Sequence, residues 1–224
     1  MTTKILLGGG TGLVGGLLTA RLVARDDVAL TSLVRRGEGA HERVTDFDAL
    51  IADPAGTAAV MGLGPVDVGI SCLGTTIRIA KSQAAFRRVD FEMVIALAKA
   101  AKALGARQFI VVTSVGARRG SGNFYLSVKG DTEATLGALG FERLDILRPG
   151  LILGPRADRR PPEELGQRVA AVLSPFLKQV MPSYAAVDAG YVADAIAALA
   201  GPRPRGLCVH TNWAIERLAK SKTS

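Results

Sequence analysis

The stretch ILLGGGTGLVGG, residues 5–16, decides the fold of this protein, because it joins a short apolar run to an amphipathic segment through a cluster of glycines. Gly9, Gly12 and Gly15 follow one another at G-x-x-G-x-x-G spacing. Glycines at a strand-to-helix junction allow a tight turn, close approach of the backbone to a ligand, and close packing of the helix on the strand. The stretch therefore predicts a first strand, a ligand-binding turn and a helix that ends near Arg25.

Further short runs rich in Val, Ile and Leu recur after the first one, and the five together cover residues 4–9, 28–34, 66–73, 108–114 and 143–149. Longer segments with helical spacing, such as residues 84–105, separate most of them. This alternation predicts an α/β fold with a doubly wound, mostly parallel sheet (a Rossmann fold) and helices on both faces. Two short strands, at 41–47 and 206–210, and a helix within 187–201 capped near Asp188 complete the pattern.

A chain of 224 residues has the length of one large domain, so residues 1–224 are predicted to form a single unit. Residues 1–150 would be the dinucleotide-binding core, and residues 151–224 a smaller, substrate-facing C-terminal part. Within that part, Arg159 and Arg160 would either meet an anionic substrate or lie in a solvated loop. Trp213 is predicted to pack the last helix onto the core.

The composition narrows the classes of function. The formal charge of +8 indicates an anionic partner, but the basic residues are scattered and aromatic residues make up only 5% of the chain. Stacking platforms for bases are therefore scarce, which favours a small anionic ligand over nucleic acid. The four candidate ligands for a transition metal lack the spacing of a metal site, so no metal is predicted: His41, His210, Cys72 and Cys208.

Cysteine usage and hydropathy bear on location. The two cysteines are far apart and form no disulfide framework, which suits a reducing compartment. Charged residues interrupt every apolar stretch before the roughly 18 residues that a membrane span needs. These observations predict a cytoplasmic protein without a membrane span.

The glycine loop predicts a dinucleotide cofactor, since the N–H groups and dipole of the following helix would receive its phosphates. Arg35 and Arg36 stand at the end of the second strand, where an acidic residue would bind the ribose 2′-hydroxyl of NAD. A guanidinium instead binds a 2′-phosphate. NADP(H) is therefore predicted to be preferred, with Arg35 as the main contact and Arg36 assisting. NAD(H), with two solvated arginines, is the alternative.

A serine, a tyrosine and a lysine follow at the same edge of the predicted sheet. Ser114 ends the strand at 108–114, Tyr125 comes eleven residues later, and Lys129 lies one helical turn beyond Tyr125. A nearby ammonium stabilises a phenolate and lowers the pKa of the tyrosine. The three residues are thus candidates for proton transfer at a substrate oxygen. The alternative is that Tyr125 and Lys129 are two ordinary residues on the solvent-exposed side of a helix.

With these motifs the chain resembles the short-chain dehydrogenase/reductase superfamily. It is most similar to atypical members such as the Tat-interacting protein family and the nucleoside-diphosphate-sugar epimerase-like proteins. The resemblance runs from residue 4 to about residue 160, and its most specific blocks are SCLGTT (71–76) and FYLSVKG (124–130). It implies that Ser114, Tyr125 and Lys129 are catalytic. Together with the glycine loop and the two arginines, it predicts that the cofactor is held by Gly9, Thr11, Gly12, Leu13, Val14, Gly15, Arg35, Arg36, Asp46, Phe47, Cys72, Leu73, Gly74, Thr75, Lys129, Pro149 and Gly150.

One residue departs from the superfamily pattern. The asparagine that these proteins often carry on the central helix has no match here, and Asp90 occupies that region. The sequence therefore predicts an NADP(H)-binding oxidoreductase acting on a small carbonyl or alcohol, with Tyr125 as acid or base. Two alternatives stay open: a non-catalytic NADP(H)-sensing or partner-binding protein, and an epimerase-like isomerase that retains its cofactor. The substrate is not identified, and the protein would be a monomer or a homodimer.

Overall fold

A computed structural model of the protein describes residues 2–154 and 185–221. Its strands are β1 (Thr3–Gly8), β2 (Val28–Val34), β3 (Glu42–Val44), β4 (Val68–Ser71), β5 (Gln108–Val112), β6 (Arg143–Arg148), β7 (Ile152–Leu153), β8 (Val187–Asp188) and β9 (Gly206–Thr211). Its helices are α1 (Leu13–Val23), α2 (Phe47–Ala52), α3 (Pro54–Val60), α4 (Ile77–Ala80), α5 (Gln83–Arg87), α6 (Val94–Ala103), α7 (Phe124–Ala138), α8 (Ala189–Leu199) and α9 (Asn212–Lys220). A π-helical turn, Arg88–Met93, joins α5 to α6.

Seven of the described strands form one sheet in the order β3-β2-β1-β4-β5-β6-β9. Every neighbouring pair in it is parallel, and β7 and β8 pair separately. The winding reverses between β1 and β4, so the loops after these two strands diverge and leave a crevice where a ligand can enter. The predicted doubly wound, Rossmann-like α/β fold is confirmed.

The central strands are buried on both faces, which explains their continuous apolar sequence. In β1, Ile5, Leu6 and Leu7 are all at most 1% exposed. Because side chains alternate along a strand, Ile5 and Leu7 join one hydrophobic cluster and Leu6 joins the other. The first cluster lies under α1, α8 and α9, and the second lies under α2, α3, α6 and α7. No helix in the described ranges combines the length and apolarity that crossing a bilayer requires.

The last strand is tied to the sheet through a buried carboxylate. Asp145, on β6, is fully buried and lies 2.8 Å from His210 Nε2 on β9. It also accepts hydrogen bonds from Arg143, 2.6 Å from one oxygen and 2.9 Å from the other, and from Gln108 on β5, at 2.9 Å. Residues 206–220 are therefore built into the same sheet and core as the first strands.

The segment with helical spacing, residues 84–105, is helical as predicted, with the π-helical turn between α5 and α6. One prediction about packing is wrong. Trp213 is 68% exposed and does not pack α9 onto the core. Ile215 and Ala219, one turn apart on the inner face of α9, are buried instead, and Trp213 lies two residues before Ile215, on the far side of the helix.

Candidate functional site

The carboxyl ends of the parallel strands bring the predicted residues to one edge of the sheet. Backbone hydrogen bonds connect the segments that follow neighbouring strands. Cys72 N donates to Gly8 O at 2.8 Å across β4 and β1, and Val115 N donates to Pro149 O at 2.9 Å across β5 and β6. The glycine loop, the Cys72–Thr75 segment, Ser114 and the Pro149–Gly150 turn therefore lie along the same edge.

The three glycines of the first loop have different surroundings. Gly9 has φ +84°, and a Cβ there would lie 2.5 Å from the carbonyl carbon of Cys72. A Cβ on Gly15 would lie 2.0 Å from Gly9 O, so this glycine lets α1 pack against the loop. At Gly12 the nearest atom to such a Cβ, Gly9 O, is 3.4 Å away. Gly12 therefore borders open space, and this is the position where a pyrophosphate can approach.

A fourth glycine in the loop also has a close neighbour, and sequence reasoning missed it. A Cβ on Gly10 would lie 2.4 Å from Ser32 Oγ on β2. That hydroxyl is buried and has no hydrogen-bond partner among the described residues. The signal was in the sequence, since Gly10, Gly12 and Gly15 stand at the G-x-G-x-x-G spacing of dinucleotide-binding loops.

The start of α1 is suited to an anion. Gly12 is its N-cap and, having no side chain, offers no capping hydrogen bond to the first N–H groups of the helix. Thr11 is exposed in the turn, Leu13 begins the helix, and Val14 is buried in the core beneath it. The N–H groups and the positive end of the helix dipole thus point to the space beside Gly12.

The predicted adenosine side of the site lies beyond β2 and β3. Arg35 and Arg36 are both exposed after β2, and neither guanidinium forms an ion pair with residues in 2–154 or 185–221. Asp46 caps α2, accepting from Asp48 N at 2.8 Å, and Phe47 is buried under that helix. The Asp46 carboxylate is therefore engaged with the backbone.

The loop after β4 carries Cys72, Leu73, Gly74 and Thr75. Burial raises the pKa of the Cys72 thiol to about 12, so the thiol stays protonated at neutral pH. Thr75 N donates to Asp90 Oδ2 at 2.9 Å. A Cβ on Gly74 would lie 3.5 Å from Asp90 Oδ1 and 3.8 Å from Lys129 Nζ. The loop thus rests on these two charged groups.

Tyr125 and Lys129 share one face of α7, as their spacing predicts. Lys129 Nζ lies 6.0 Å from the centroid of the Tyr125 ring, and that ring packs at 5.6 Å against the ring of Phe86. Ser114 follows β5, where its Oγ donates to Val115 O at 3.2 Å. The next part of this loop is held to α7, because Arg118 N donates to Leu126 O at 3.1 Å.

After Gly10, Asp90 is the second residue for which the sequence predicted no role, and it contacts Lys129. Lys129 Nζ is 2.7 Å from Asp90 Oδ1, and both side chains are buried. The sequence showed only that Asp90 stands where related proteins often carry asparagine. No periodicity indicated that it would meet a lysine 39 positions later in the chain.

Asn212 is a third residue without a predicted role, and it supports the turn after β6. Its Oδ1 accepts from Gly150 N at 2.9 Å, and its Nδ2 donates to Ala185 O at 2.7 Å. It is 4% exposed and begins α9. Arg159 and Arg160, the other candidates near this turn, lie outside the described residues.

These features fit a phosphorylated dinucleotide. Open space at Gly12, uncapped N–H groups at the start of α1 and two exposed arginines after β2 are the groups that a phosphorylated dinucleotide requires. In residues 2–154 and 185–221, no three His, Cys, Asp or Glu side chains are grouped so that they could hold a metal ion.

Comparison with known proteins agrees with this assignment. A family model described as NAD(P)H-binding matches residues 9–140. The chain is 44% identical over 102 residues to Protein HTATIP2 of Rattus norvegicus, covering 46% of this chain and 42% of that protein. It is 33% identical over 222 residues to Protein FMP52, mitochondrial, of Coccidioides immitis, covering 92% of this chain and 89% of that protein. The chain thus spans less than half of the rat relative in the first alignment.

Solved structures share the fold at low identity. Human epimerase family protein SDR39U1, solved with NADPH, has a TM-score of 0.64 at 18% identity, covering 93% of this chain and 74% of that one. UDP-glucose 4-epimerase from Bifidobacterium longum, solved with NAD+ and UDP, has a TM-score of 0.67 at 14% identity, covering 93% of this chain and 77% of that one. The predicted resemblance is confirmed: the family match and the rat relative show it in the sequence, and the solved structures share the fold of epimerase family proteins.

The predicted cytoplasmic location is wrong. Fungal relatives from Emericella nidulans, Coccidioides immitis and Aspergillus niger are all named mitochondrial. The prediction rested on well-separated cysteines and on interrupted apolar stretches. Neither property distinguishes the cytosol from another reducing compartment. Well-separated cysteines indicate only a reducing environment, and interrupted apolar stretches indicate only that no membrane span is predicted.

Proposed function

The chain belongs to the NAD(P)H-binding family, and from this membership we propose that it is an NADP(H)-dependent oxidoreductase acting on a small carbonyl or alcohol. The observation that carries the proposal is the tyrosine–lysine pair on α7, with 6.0 Å between the Tyr125 ring centroid and Lys129 Nζ. An acid with a neighbouring cation at the ligand-binding edge of a Rossmann-like sheet is suited to proton transfer at a substrate oxygen.

The cofactor is proposed to enter the crevice between β1 and β4. In this assignment residues 1–224 act as one unit, with the core in 1–150 and the substrate met by part of 151–224. When bound, the nicotinamide supplies or accepts the hydride. The positions proposed for binding are Gly9, Thr11, Gly12, Leu13, Val14, Gly15, Arg35, Arg36, Asp46, Phe47, Cys72, Leu73, Gly74, Thr75, Lys129, Pro149 and Gly150.

The proton chemistry is assigned to three side chains. In the reductive direction Tyr125 donates its phenolic proton to the substrate oxygen, and in the oxidative direction the phenolate accepts it. The Ser114 hydroxyl holds that oxygen by a hydrogen bond. Lys129 binds the ribose next to the reacting centre and stabilises the phenolate by its charge.

A preference for NADP(H) over NAD(H) follows from charge at the end of β2. Arg35 and Arg36 are exposed there, and no acidic residue takes the position that accepts a ribose 2′-hydroxyl. A guanidinium forms paired hydrogen bonds with a phosphate and cannot be deprotonated near neutral pH, so it favours the 2′-phosphate.

The experiment is a survey of small carbonyl compounds for oxidation of NADPH by the wild-type protein and by Tyr125→Phe. We expect turnover to fall by at least about 100-fold in the variant, because the proton donor is lost, with little change in the dissociation constant for NADPH. Tyr191→Phe is the matched control, since Tyr191 is 41% exposed on α8 and has no proposed role. Equal turnover by wild type and Tyr125→Phe would exclude the assigned acid.

The same experiment separates the two alternatives. Tight NADPH binding without turnover of any compound would favour a cofactor-sensing or partner-binding protein. A nicotinamide cofactor that stays bound through purification would favour an epimerase-like isomerase, the activity named for several of the structural neighbours.

A further inference from the structure

The carboxylate of Glu133 on α7 joins the ends of two strands at the ligand-binding edge. Its Oε1 accepts hydrogen bonds from Thr113 Oγ1 at 2.6 Å and from Arg148 Nε at 3.0 Å. Its Oε2 accepts a hydrogen bond from Arg148 Nη2. The Glu133 side chain is 8% exposed, and a buried carboxylate is costly to desolvate unless it is paired and hydrogen-bonded. These contacts therefore hold the three residues in place relative to one another.

Both partners of this carboxylate stand immediately before residues of the proposed site. Thr113 follows β5 and precedes Ser114. Arg148 ends β6 and precedes the Pro149–Gly150 turn. The two strand ends are also joined beyond these partners, because Val115 N donates to Pro149 O at 2.9 Å. A displacement of the carboxylate would therefore move residues that are proposed to meet the substrate and the cofactor.

The same helix carries the proposed proton donor and its lysine. Lys129 precedes Glu133 by four residues and Tyr125 precedes it by eight, so the three lie about one turn apart along α7. One buried side chain thus links the helix that carries the acid to the strand end that carries Ser114. It links the same helix to the strand end that leads into the Pro149–Gly150 turn.

We propose that Glu133 is a positioning residue, which fixes Ser114 and the Pro149–Gly150 turn relative to the tyrosine–lysine pair of α7. Proton transfer requires the acid and the substrate oxygen to be within about 3 Å of each other. A displacement of about 1 Å can slow such a reaction by about 100-fold. This role rests on the proposed function, because it concerns the placement of the proton-transfer residues of that site.

The first test compares the steady-state kinetics of wild type and Glu133→Gln in the full chain, with NADPH and a carbonyl compound that the wild type turns over. Glutamine keeps the size of the side chain, but it has no charge and its amide nitrogen cannot accept hydrogen bonds. We expect kcat and kcat/KM to fall together by at least about tenfold, with the dissociation constant for NADPH within about threefold of wild type. An unchanged kcat in a folded Glu133→Gln protein would overturn the proposal.

The control is Asp194→Asn, which removes the charge of another carboxylate that contacts two nitrogens of one arginine. Asp194 on α8 accepts hydrogen bonds from Nε and Nη2 of Arg21. Arg21 lies in the last turn of α1, at the opposite end of that helix from the glycine loop. The kcat of this variant should equal that of wild type. A loss of kcat as large as that of Glu133→Gln would mean that turnover follows general stability, which contradicts the proposal.

A second pair of variants covers the case in which Glu133→Gln does not fold. Thr113→Val removes the hydrogen bond to Glu133 with little change of shape, whereas Thr113→Ser retains the hydroxyl. We expect Thr113→Val to lower kcat by at least about fivefold and Thr113→Ser to stay within about twofold of wild type. Equal kcat values for the two Thr113 variants would count against the positioning role.

A measurement without turnover separates this role from the oxidoreductase assignment. The Val115 amide donates to Pro149 O, so its hydrogen exchange reports whether the two strand ends keep their arrangement. We expect exchange at Val115 to be at least about tenfold faster in Glu133→Gln and in Thr113→Val, while Ile110 in the middle of β5 keeps its protection. Unchanged exchange at Val115 would refute the positioning role even if the wild type oxidises NADPH. Faster exchange in a protein that turns over no carbonyl compound would support that role and reject the oxidoreductase assignment alone.

Discussion

Arg35 and Arg36 illustrate what a single residue contributes. They stand exposed at the end of β2, and within the described residues they form no ion pair that would compete for a phosphate. Water screens the charge of an exposed arginine, so such a residue contributes little electrostatic energy until a multivalent anion binds to it. A bidentate arginine–phosphate contact is stronger than a neutral hydrogen bond, so one arginine can set the preference between two cofactors that differ by a phosphate.

Replacing Arg35 by alanine should weaken NADPH binding by about 10- to 100-fold and leave NADH binding nearly unchanged. The physical reason is the loss of a charge-assisted contact that only NADPH makes. Fluorescence titration with both cofactors measures the two dissociation constants.

The control for Arg35→Ala is Arg107→Ala. Arg107 is also an exposed arginine, but it precedes β5 at the opposite edge of the sheet and pairs with Glu142 there. Its loss should affect neither cofactor. If Arg35→Ala weakened NADPH and NADH equally, the proposed 2′-phosphate contact would be wrong.

In the strand–loop–helix element around β1 and α1, some glycines matter for stability and another matters for ligand binding. Gly9 and Gly15 are packed against backbone atoms, whereas Gly12 faces open space. A methyl group at a packed position must displace main chain, while one at Gly12 displaces only a ligand. The same substitution should thus have opposite consequences three residues apart.

Gly15→Ala should lower the free energy of unfolding by about 2 kcal/mol or more, because its Cβ would lie 2.0 Å from Gly9 O. Gly12→Ala should cost less than about 1 kcal/mol, since its Cβ would be 3.4 Å from that same oxygen and the backbone at Gly12 is extended. Gly12→Ala should nevertheless bind NADPH at least about tenfold more weakly. Urea unfolding and cofactor titration of both variants check this, and normal binding by Gly12→Ala would show that the pyrophosphate does not approach there.

The whole molecule depends on contacts that join distant parts of the chain, and the Asp145 cluster is the clearest case. Its members come from β5, β6 and β9, and Gln108 Nε2 also donates to Leu199 O at the end of α8, at 3.0 Å. Burial alone would raise the pKa of Asp145. Hydrogen bonds from His210, Arg143 and Gln108 outweigh burial and bring that pKa to about 2.

The lowered pKa makes stability depend on pH in one direction. The carboxyl group has an ordinary pKa of 3.8 and one of about 2 in the folded protein, so its contribution is complete above about pH 4 and is lost as pH falls toward 2. The difference corresponds to roughly 2 kcal/mol. Asp145→Asn should therefore be less stable than wild type at pH 7, and the gap between them should narrow between pH 4 and pH 2.

Urea unfolding of both proteins across that range measures the gap. Asp26→Asn is the control, because Asp26 is exposed and forms no ion pair within the described residues. Its difference from wild type should stay constant with pH. A constant gap for Asp145→Asn as well would mean that the cluster does not hold this carboxylate in its charged form.

Local patterns in the sequence were enough for the fold and for the outline of the site. The apolar runs predicted the strands β1, β2, β5 and β6 to within a residue or two at their ends, and Asp188 caps α8 as expected. Strand and helix periodicity depend on near neighbours in the chain, and so does the spacing of Tyr125 and Lys129 on one helical turn. The glycine loop is local for the same reason, which is why the cofactor class could be predicted without a structure.

Only the tertiary structure decided which distant side chains meet. It pairs Asp90 with Lys129, sets Gly10 against Ser32, places Asn212 under the turn at Gly150, and leaves Trp213 exposed. These contacts join residues from 22 to 62 positions apart or depend on which face of a helix turns inward, and no pattern of period 2 or 3.6 reports on them. The sequence by itself therefore determined that a tyrosine and a lysine share a helical face. The folded chain added the buried carboxylate of Asp90 that pairs with the lysine, because only packing brings a third residue within 3 Å of it.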